Sequence, residues 1–309
     1  MTRKIILMLA FIMVFAPSSL FCQETPRLRL GILPVIDTLP LFVADEKGLF
    51  SKNNLDVVLV PFNSAIERDA ALASGKLDGY FGDLISVTLL NNSGQDLRVV
   101  TQSYHTNSTC RMFALLAGPK SGINSITQTE NVDIAISEAS IIEYFLDEMI
   151  SKEKIDSSRI KKMEVRAIPI RYQMLMANNI KLALLPEPLV SKAVAGGAVV
   201  IADDRNLDTT ATIIAIKERI LKKKPEIGQR FLDAYSESVK MINSKPSFFK
   251  DILVNKTRFP ASLKDKYRLP PFPDVVLPTH DDINRVEQWL FEKNLISERL
   301  AYDKIVWAK

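Results

Sequence analysis

Apolar runs alternate with amphipathic segments through the first two-thirds of the chain. "LRLGIL" (28–33) has the short aliphatic character of a covered strand, and "LPLFVADEK" (39–47) spaces its apolar positions as a helix does. The pair then repeats, as "LDVVLVPF" (55–62) with "AIERDAALAS" (65–74) and as "LDGYF" (77–81) with "LISVTLLNN" (84–92). After "CRMFALLAG" the pattern restarts. Strands are predicted at "VDIAIS" (132–137), "MEVRAI" (163–168), "KLALL" (181–185) and "AVVIA" (198–202). Helices fall between them at "SIIEYFLDEMISKE" (140–153), "RYQMLMAN" (171–178) and from Leu189 to the Gly196–Gly197 pair. Strand–helix alternation of this kind builds mainly parallel sheets covered by helices.

Turn chemistry marks the same boundaries. Thr38 is expected to cap the first helix, with Pro40 in its first turn and Gly48 at its end. Ser64 with Glu67, and Ser140 with Glu143, have the spacing of capping boxes, and Gly75 closes the second helix. "ASGKLDGYFGDL" (73–84) superposes on "ANNIKLALLPEP" (177–188) at a constant offset of 104, pairing Gly75 with Asn179 and Asp83 with Glu187. Two similar α/β lobes are therefore expected, rather than a repeat array.

Ligands of open α/β sheets sit outside the carboxyl ends of the strands, where the next helices begin. That rule selects the loops 34–38, 62–64, 82–83, 137–140 and 186–187. The candidate ligand-binding residues are Asp37, Thr38, Asn63, Ser64, Asp83, Ser137, Ala139, Ser140 and Glu187. Serine before a helix is a cap first, yet the same helix end offers free N–H groups to an anion. Asp83 and Glu187 have two readings. They are helix caps or partners of nearby Lys and Arg, or each lobe points one carboxylate into the cleft, with Asp37 as a third. Carboxylates there would suit a ligand carrying hydrogen-bond donors or an amine, and would repel a bare nitrate or sulfate.

Other chemistry finds little support. The only histidines are His105 and His280, in no metal-ligand spacing, and no HExxH, paired CxxC, P-loop or GxSxG is present. No catalytic residue, metal or cofactor is assigned. His280 is expected in a loop near a helix start, and His105 near a crossing, as a minor candidate for ligand contact. The N-terminus joins Arg3 and Lys4 to twelve apolar residues, Ile5–Ala16, followed by small and polar ones. This is the build of a secretory signal covering residues 1–22, too short to span a bilayer. Cys22 stands where a lipoprotein would be acylated, but Phe21 is a poor residue before such a site. Cys110 would then be the one internal cysteine, expected to be a buried, inert thiol. Loss of residues 1–21 leaves 38 basic against 36 acidic side chains, a net +2, interspersed along the chain. "KKK" (222–224) reads as a solvated helix end, and no nucleic-acid partner is expected.

The stretches "LPLFVADEKGLFSKNNLDVVLVPF", "ERDAALASGKLDGYFGDL", "ISEASIIEYFLDEM", "LLPEPLVSKA" and "YRLPPFPDVVLPTHDDINRVEQWLFEKNLI" together resemble a known family. It comprises the substrate-binding proteins of ABC importers for nitrate, aliphatic sulfonates, taurine and thiamine-precursor pyrimidines. The resemblance implies a type II periplasmic binding fold of two lobes joined by two hinge crossings, near 110–117 and 202–212. Lobe 1 would be 27–112 with 205–309, and lobe 2 would be 113–204. It also implies a monomer that captures a small polar organic ligand outside the cytoplasm and delivers it to an ABC permease and its ATPase. A membrane would be met only through a lipid on Cys22. Two rivals share the fold: thiamine-pyrimidine or menaquinone-pathway enzymes, and ligand-binding modules of sensors. Glycine is usual in the family where this chain has Asn179, and asparagine is the next best residue for a left-handed turn.

Overall fold

The structure is a computed structural model and describes residues 25–308. The proposed signal segment and Cys22 lie outside those residues.

The chain first lays down β1 (Arg27–Ile32), α1 (Leu39–Glu46), α2 (Leu49–Lys52), β2 (Asp56–Pro61), α3 (Ala65–Ala73), β3 (Gly79–Gly82), α4 (Leu84–Asn92) and β4 (Leu97–His105). It then crosses to β5 (Phe113–Ala117), β6 (Asp133–Ile136), α5 (Ile141–Lys152), β7 (Lys161–Glu164), α6 (Ile168–Met176), β8 (Leu182–Pro186), α7 (Leu189–Ala195) and β9 (Val199–Asp203). It returns as β10 (Thr210–Lys217), followed by α8 (Glu218–Lys223), α9 (Pro225–Ser244), α10 (Lys250–Thr257), α11 (His280–Glu292) and α12 (Tyr302–Ile305). Two five-stranded sheets result, in the orders β2-β1-β3-β10-β4 and β7-β6-β8-β5-β9.

Each sheet is mainly parallel, with one antiparallel strand in fourth place. β10 runs against β3 and β4, and β5 runs against β8 and β9. These are the two strands that enter from the other half. A strand arriving through a crossing starts at the opposite end of the sheet from one fed by a βα unit, so its direction is reversed. The first crossing occupies 106–112, N-terminal of the expected 110–117, because 113–117 already belongs to the second sheet. The return occupies 204–209.

Three strands, β4, β5 and β10, escape the sequence pattern. β4 and β10 are covered on both faces, so they show no alternation of apolar and polar residues. β4 even buries Arg98, Thr101, Gln102 and Ser103, and the chain at Val276 and Leu277 supplies partners for Thr101 and Gln102. The expected strand at 163–168 is shifted to Lys161–Glu164, and α6 begins at Ile168 rather than 171. Pro169 explains the early start, since proline fits a helix's first turn.

Two turn assignments are corrected. Thr38 makes no capping bond to α1. Its hydroxyl turns back to the carbonyls of Val35 (2.5 Å) and Leu33 (2.9 Å), because a 3-10 turn at Ile36–Thr38 precedes the helix and engages it. The left-handed residue of the turn after α6 is Asn178 (φ 58°), not Asn179. The relation to Gly75 (φ 78°) is therefore an offset of 103, and one extra residue enters before Glu187. Ser64 does cap α3, while Glu67 returns to the N–H of Asn63 rather than to Ser64 itself. Lys222, Lys223 and Lys224 are exposed around the end of α8, as expected of a solvated run. No helix among the described residues is long and apolar enough to cross a membrane.

Candidate functional site

The carboxyl ends of both sheets face one another, and the halves touch there through two backbone hydrogen bonds. The Ile168 N–H donates to Asn63 O at 3.2 Å, and the Ile36 N–H donates to Glu187 O at 3.4 Å. A cavity lies between the halves. Leu33, Val35 and Phe81 meet Phe113, Ile142 and Pro186 across it, and its polar wall carries Asp37, Arg68, Asp83, Ser137, Ser140 and Arg171. A second cavity shares Val35, Ile168 and Pro186 with the first. Phe62, Asn63, Tyr172, Glu187 and Lys192 line it, and the Lys192 ammonium lies 5.0 Å from the Tyr172 ring centre.

The expected site residues divide between these places. Asp37, Asp83, Ser137 and Ser140 line the first cavity, while Asn63 and Glu187 line the second. Thr38, Ser64 and Ala139 line neither, and act from behind as turn, cap and loop residues. His105 is outside both cavities and binds its neighbour's carbonyl, Thr106 O, at 2.9 Å. His280 is the first residue of α11 and stacks on Tyr302. Cys110, in the first crossing, is a free thiol and only half-buried, although Thr106 and Met112 of the same crossing are buried.

Both paired carboxylates are helix caps. Asp83 is the N-cap of α4 and accepts the Ser86 N–H at 2.8 Å. Glu187 sits one residue further from its helix, beyond Pro188, and its longer side chain covers the gap. It accepts the Ser191 N–H at 3.0 Å and the Ser191 hydroxyl at 2.9 Å. Arg111 approaches it only to 3.8 Å, an ion pair beyond hydrogen-bond length. Burial raises the pKa of both acids, opposed at Asp83 by Arg68 and at Glu187 by its Ser191 bonds. Asp37 is also buried. It accepts from the Thr212 hydroxyl at 2.7 Å, and burial pushes its carboxyl up to about 6.

Two arginines were not legible from the site rule. Arg68 is the fourth residue of α3 and Arg171 the fourth of α6, and neither side chain reaches solvent. Each is anchored to the third residue of the adjoining strand: Arg68 Nη1 to Phe81 O (2.8 Å), Arg171 Nε to Leu184 O (2.8 Å). Beyond this the two differ. Arg68 is neutralised by Asp69 at 2.8 Å and lies over the Tyr80 ring. Arg171 spends Nη1 on Val165 O (2.7 Å), and its buried Nη2 has no hydrogen-bond partner among the described residues. Burial lowers the Arg171 pKa to about 10. The two arginines are related by the offset of 103 that Asn178 restores, so an alignment allowing one inserted residue would have paired them.

The first cavity thus combines an unpaired guanidinium N–H, the N-terminus of a twelve-residue helix at Ser140 and a largely apolar lining. Such a chamber can hold an acceptor-rich or anionic group on an apolar body. Among the described residues, no group of three or more His, Cys, Asp or Glu side chains is placed to hold a metal ion.

Comparison with solved structures returns the same architecture. The alkanesulfonate-binding protein of Xanthomonas axonopodis pv. citri, bound to MOPS, superposes with a TM-score of 0.79 at 16% identity, covering 92% of this chain and 99% of that one. The ligand-binding component of an ABC-type import system from Staphylococcus aureus, with zinc bound, gives 0.78 at 17% identity over 91% and 96%. The periplasmic aliphatic sulphonate binding protein of Escherichia coli gives 0.76 at 17% identity over 91% and 97%. A desulfurization enzyme shares the fold as well, with a TM-score of 0.69 at 14% identity over 92% and 97%. No curated protein matches the sequence. A family model described as NMT1/THI5 like matches residues 36–247, well over half of the chain. With two sheets, two crossings and a cavity between the halves, the chain has the periplasmic binding protein fold and belongs to the NMT1/THI5-like family.

Proposed function

We propose that the chain is an extracytoplasmic solute-binding protein that captures a small organic anion between its halves and passes it to an ABC permease and ATPase. The halves are 27–112 with 205–309, and 113–204. The observation that carries the ligand class is Arg171 Nη2, a buried donor on the chamber wall with no hydrogen-bond partner among the described residues. A desolvated donor of this kind costs about 1–3 kcal/mol unless something accepts from it. An anionic or strongly accepting group would restore that loss, helped by the N-terminus of α5.

This reading replaces the amine ligand that the carboxylates first suggested. Asp83 and Glu187 are engaged as caps, and they line different cavities. The apolar wall and the adjoining cavity suit a ligand with a carbon skeleton better than bare nitrate. Export through residues 1–22, with or without a lipid on Cys22, and a monomeric state complete the proposal. N-terminal mass analysis should find the mature chain starting at Cys22 or Gln23.

Binding and catalysis are separated by the fate of the ligand. Two of the cavity's hydroxyls are already committed: Ser140 Oγ donates to Ser137 O at 2.6 Å, and Thr212 Oγ1 donates to Asp37. A thermal-shift screen of taurine, alkyl sulfonates, nitrate, pyrimidines and polyamines should single out an organic anion. A ligand present at a hundred times its Kd should stabilise the protein by about 2.7 kcal/mol. It should be recovered unchanged. Turnover of the bound compound, or stabilisation by polyamines alone, would overturn the proposal.

A further inference from the structure

The loop 137–140, at the mouth of α5, is held from behind. Ala139 has φ 50°, a left-handed conformation that a β-carbon disfavours, so the loop's shape depends on bonds that hold it there. One such bond is donated by the Ala139 N–H to Glu143 Oε2, at 2.7 Å. The other oxygen of Glu143 accepts from two lysines, Lys162 at 2.7 Å and Lys293 at 2.9 Å. Asp147, one helical turn further on, takes the same two lysines at 2.6 and 2.9 Å and also the Trp289 Nε1–H at 3.0 Å. Trp289 stands edge-on to Tyr144, ring centres 5.5 Å apart.

Glu143, Asp147, Tyr144 and Lys162 all belong to the half that contains the second sheet. Lys293 and Trp289 come from α11 and its C-cap, on the chain that follows the first sheet. Two carboxylates four residues apart on one helix repel each other. With both lysines in place the quartet is neutral, and with Lys162 alone it carries a net negative charge. Burial works against the charge of Glu143, but the bonds from Lys162, Lys293 and the Ala139 N–H outweigh it and hold the carboxyl below the ordinary glutamate range. The Glu143 side chain is 9% exposed and that of Lys293 29%, so the pair is screened less than a surface ion pair.

We propose that Lys293 is a positioning residue for the loop 137–140: it reaches from one half to Glu143 of the other, and couples the approach of the halves to the shape of that loop. This rests on the first cavity's being the ligand site. Rotation of the halves apart withdraws Lys293 and Trp289 together and leaves Glu143 shared between Lys162 and the loop. The loop is therefore fully braced only when the halves meet.

The test uses the ligand-free full chain, so a failed ligand screen does not bear on it. Wild type, Lys293→Met, Lys293→Arg and Lys162→Met are compared by hydrogen exchange across 139–142 and by small-angle scattering. Lys293→Met should speed exchange there about fivefold or more and raise the radius of gyration, the size of effect a partly buried ion pair exerts on an equilibrium. Lys293→Arg should restore both. Lys162→Met removes a cation of the same quartet from within one half, and should leave the radius of gyration at its wild-type value. The proposal is overturned if Lys293→Met matches wild type in both measurements, or expands the molecule without changing exchange in the loop. Equal expansion by Lys162→Met would also overturn it.

Discussion

Arg171 and Arg68 occupy equivalent places in the two halves, and one difference separates their roles. Arg68 has Asp69 beside it and Arg171 has no such acid within bonding distance among the described residues, so of the two Arg171 keeps a donor for something else. Arg171→Met preserves the bulk of the side chain and removes the donor. For an anionic ligand it should weaken binding by about 1.5–3 kcal/mol by titration calorimetry, the range for a hydrogen bond to a charged group. Asp37 makes a separate, pH-dependent prediction. Its folded-state pKa of about 6 lies above the ordinary aspartate value, so the folded state favours the protonated acid. The stabilisation is complete below about pH 4 and is lost as the pH rises through 6. At pH 8 the wild type therefore carries the cost of a buried ionised Asp37, on the order of 2–3 kcal/mol. Asp37→Asn, which keeps an acceptor for Thr212, should raise stability by urea denaturation at pH 8 and change it little at pH 4.5. At this scale the sequence could nominate acids and serines at helix starts, because the strand-end rule points to loops. It could not nominate the arginines. They enter the cavity from the second turn of their helices, and only packing against β3 and β8 turns them inward.

The helices that follow strands in the two halves were legible, whereas α2 and α8 to α12 were not. α4 begins after Asp83 and ends at Asn92 as its pattern predicts, and α5 begins after Ser140. Each of those starts is announced by a short polar residue whose bonds are local. Strands β4 and β10 were silent because their burial is decided by what packs on them from distant parts of the chain. Cα partners run from Thr210–His105 to Lys217–Leu97, a pairing no local pattern encodes. The caps give a prediction that separates structure from ligand contact. Asp83→Ala removes the acceptor for the Ser86 N–H and should cost about 1–2 kcal/mol, whereas Asp83→Asn, an equally good cap, should cost a few tenths at most. Ligand affinity should follow the same order as stability. A large loss of affinity in Asp83→Asn with stability unchanged would instead make the carboxylate a direct ligand contact.

For the whole molecule, the two crossings set how the halves can move. At the first-sheet end they are tied together by Thr106 and Thr209: the Thr106 N–H donates to Thr209 O at 3.0 Å, and the Thr209 N–H donates to Thr106 Oγ1 at 3.0 Å. At the second-sheet end Asp204 accepts the Met112 and Phe113 N–H groups at 2.9 and 3.1 Å. Between the two ties lie 107–111 and 205–208, and Asn206 and Asp208 there already adopt left-handed backbone (φ 66° and 49°). Hinge rotation is expected to concentrate in these two stretches, since a hinge is a few residues that absorb the backbone change while their flanks stay fixed. Asp204 is the more exposing test of the two ties. It is fully buried, one of its oxygens has no partner among the described residues, and burial pushes its carboxyl up to about 7. Asp204→Ala leaves two buried N–H groups unsatisfied and should cost about 2–4 kcal/mol. Asp204→Asn keeps an acceptor and sheds the cost of ionisation, so at pH 8 it should be close to wild type or more stable. Hydrogen exchange at Met112 and Phe113 should rise in the alanine variant and stay slow in the asparagine one. If alanine leaves those amides as protected as wild type, the crossings are held by the flanking sheets rather than by Asp204. The hinge would then extend into β5 and β9.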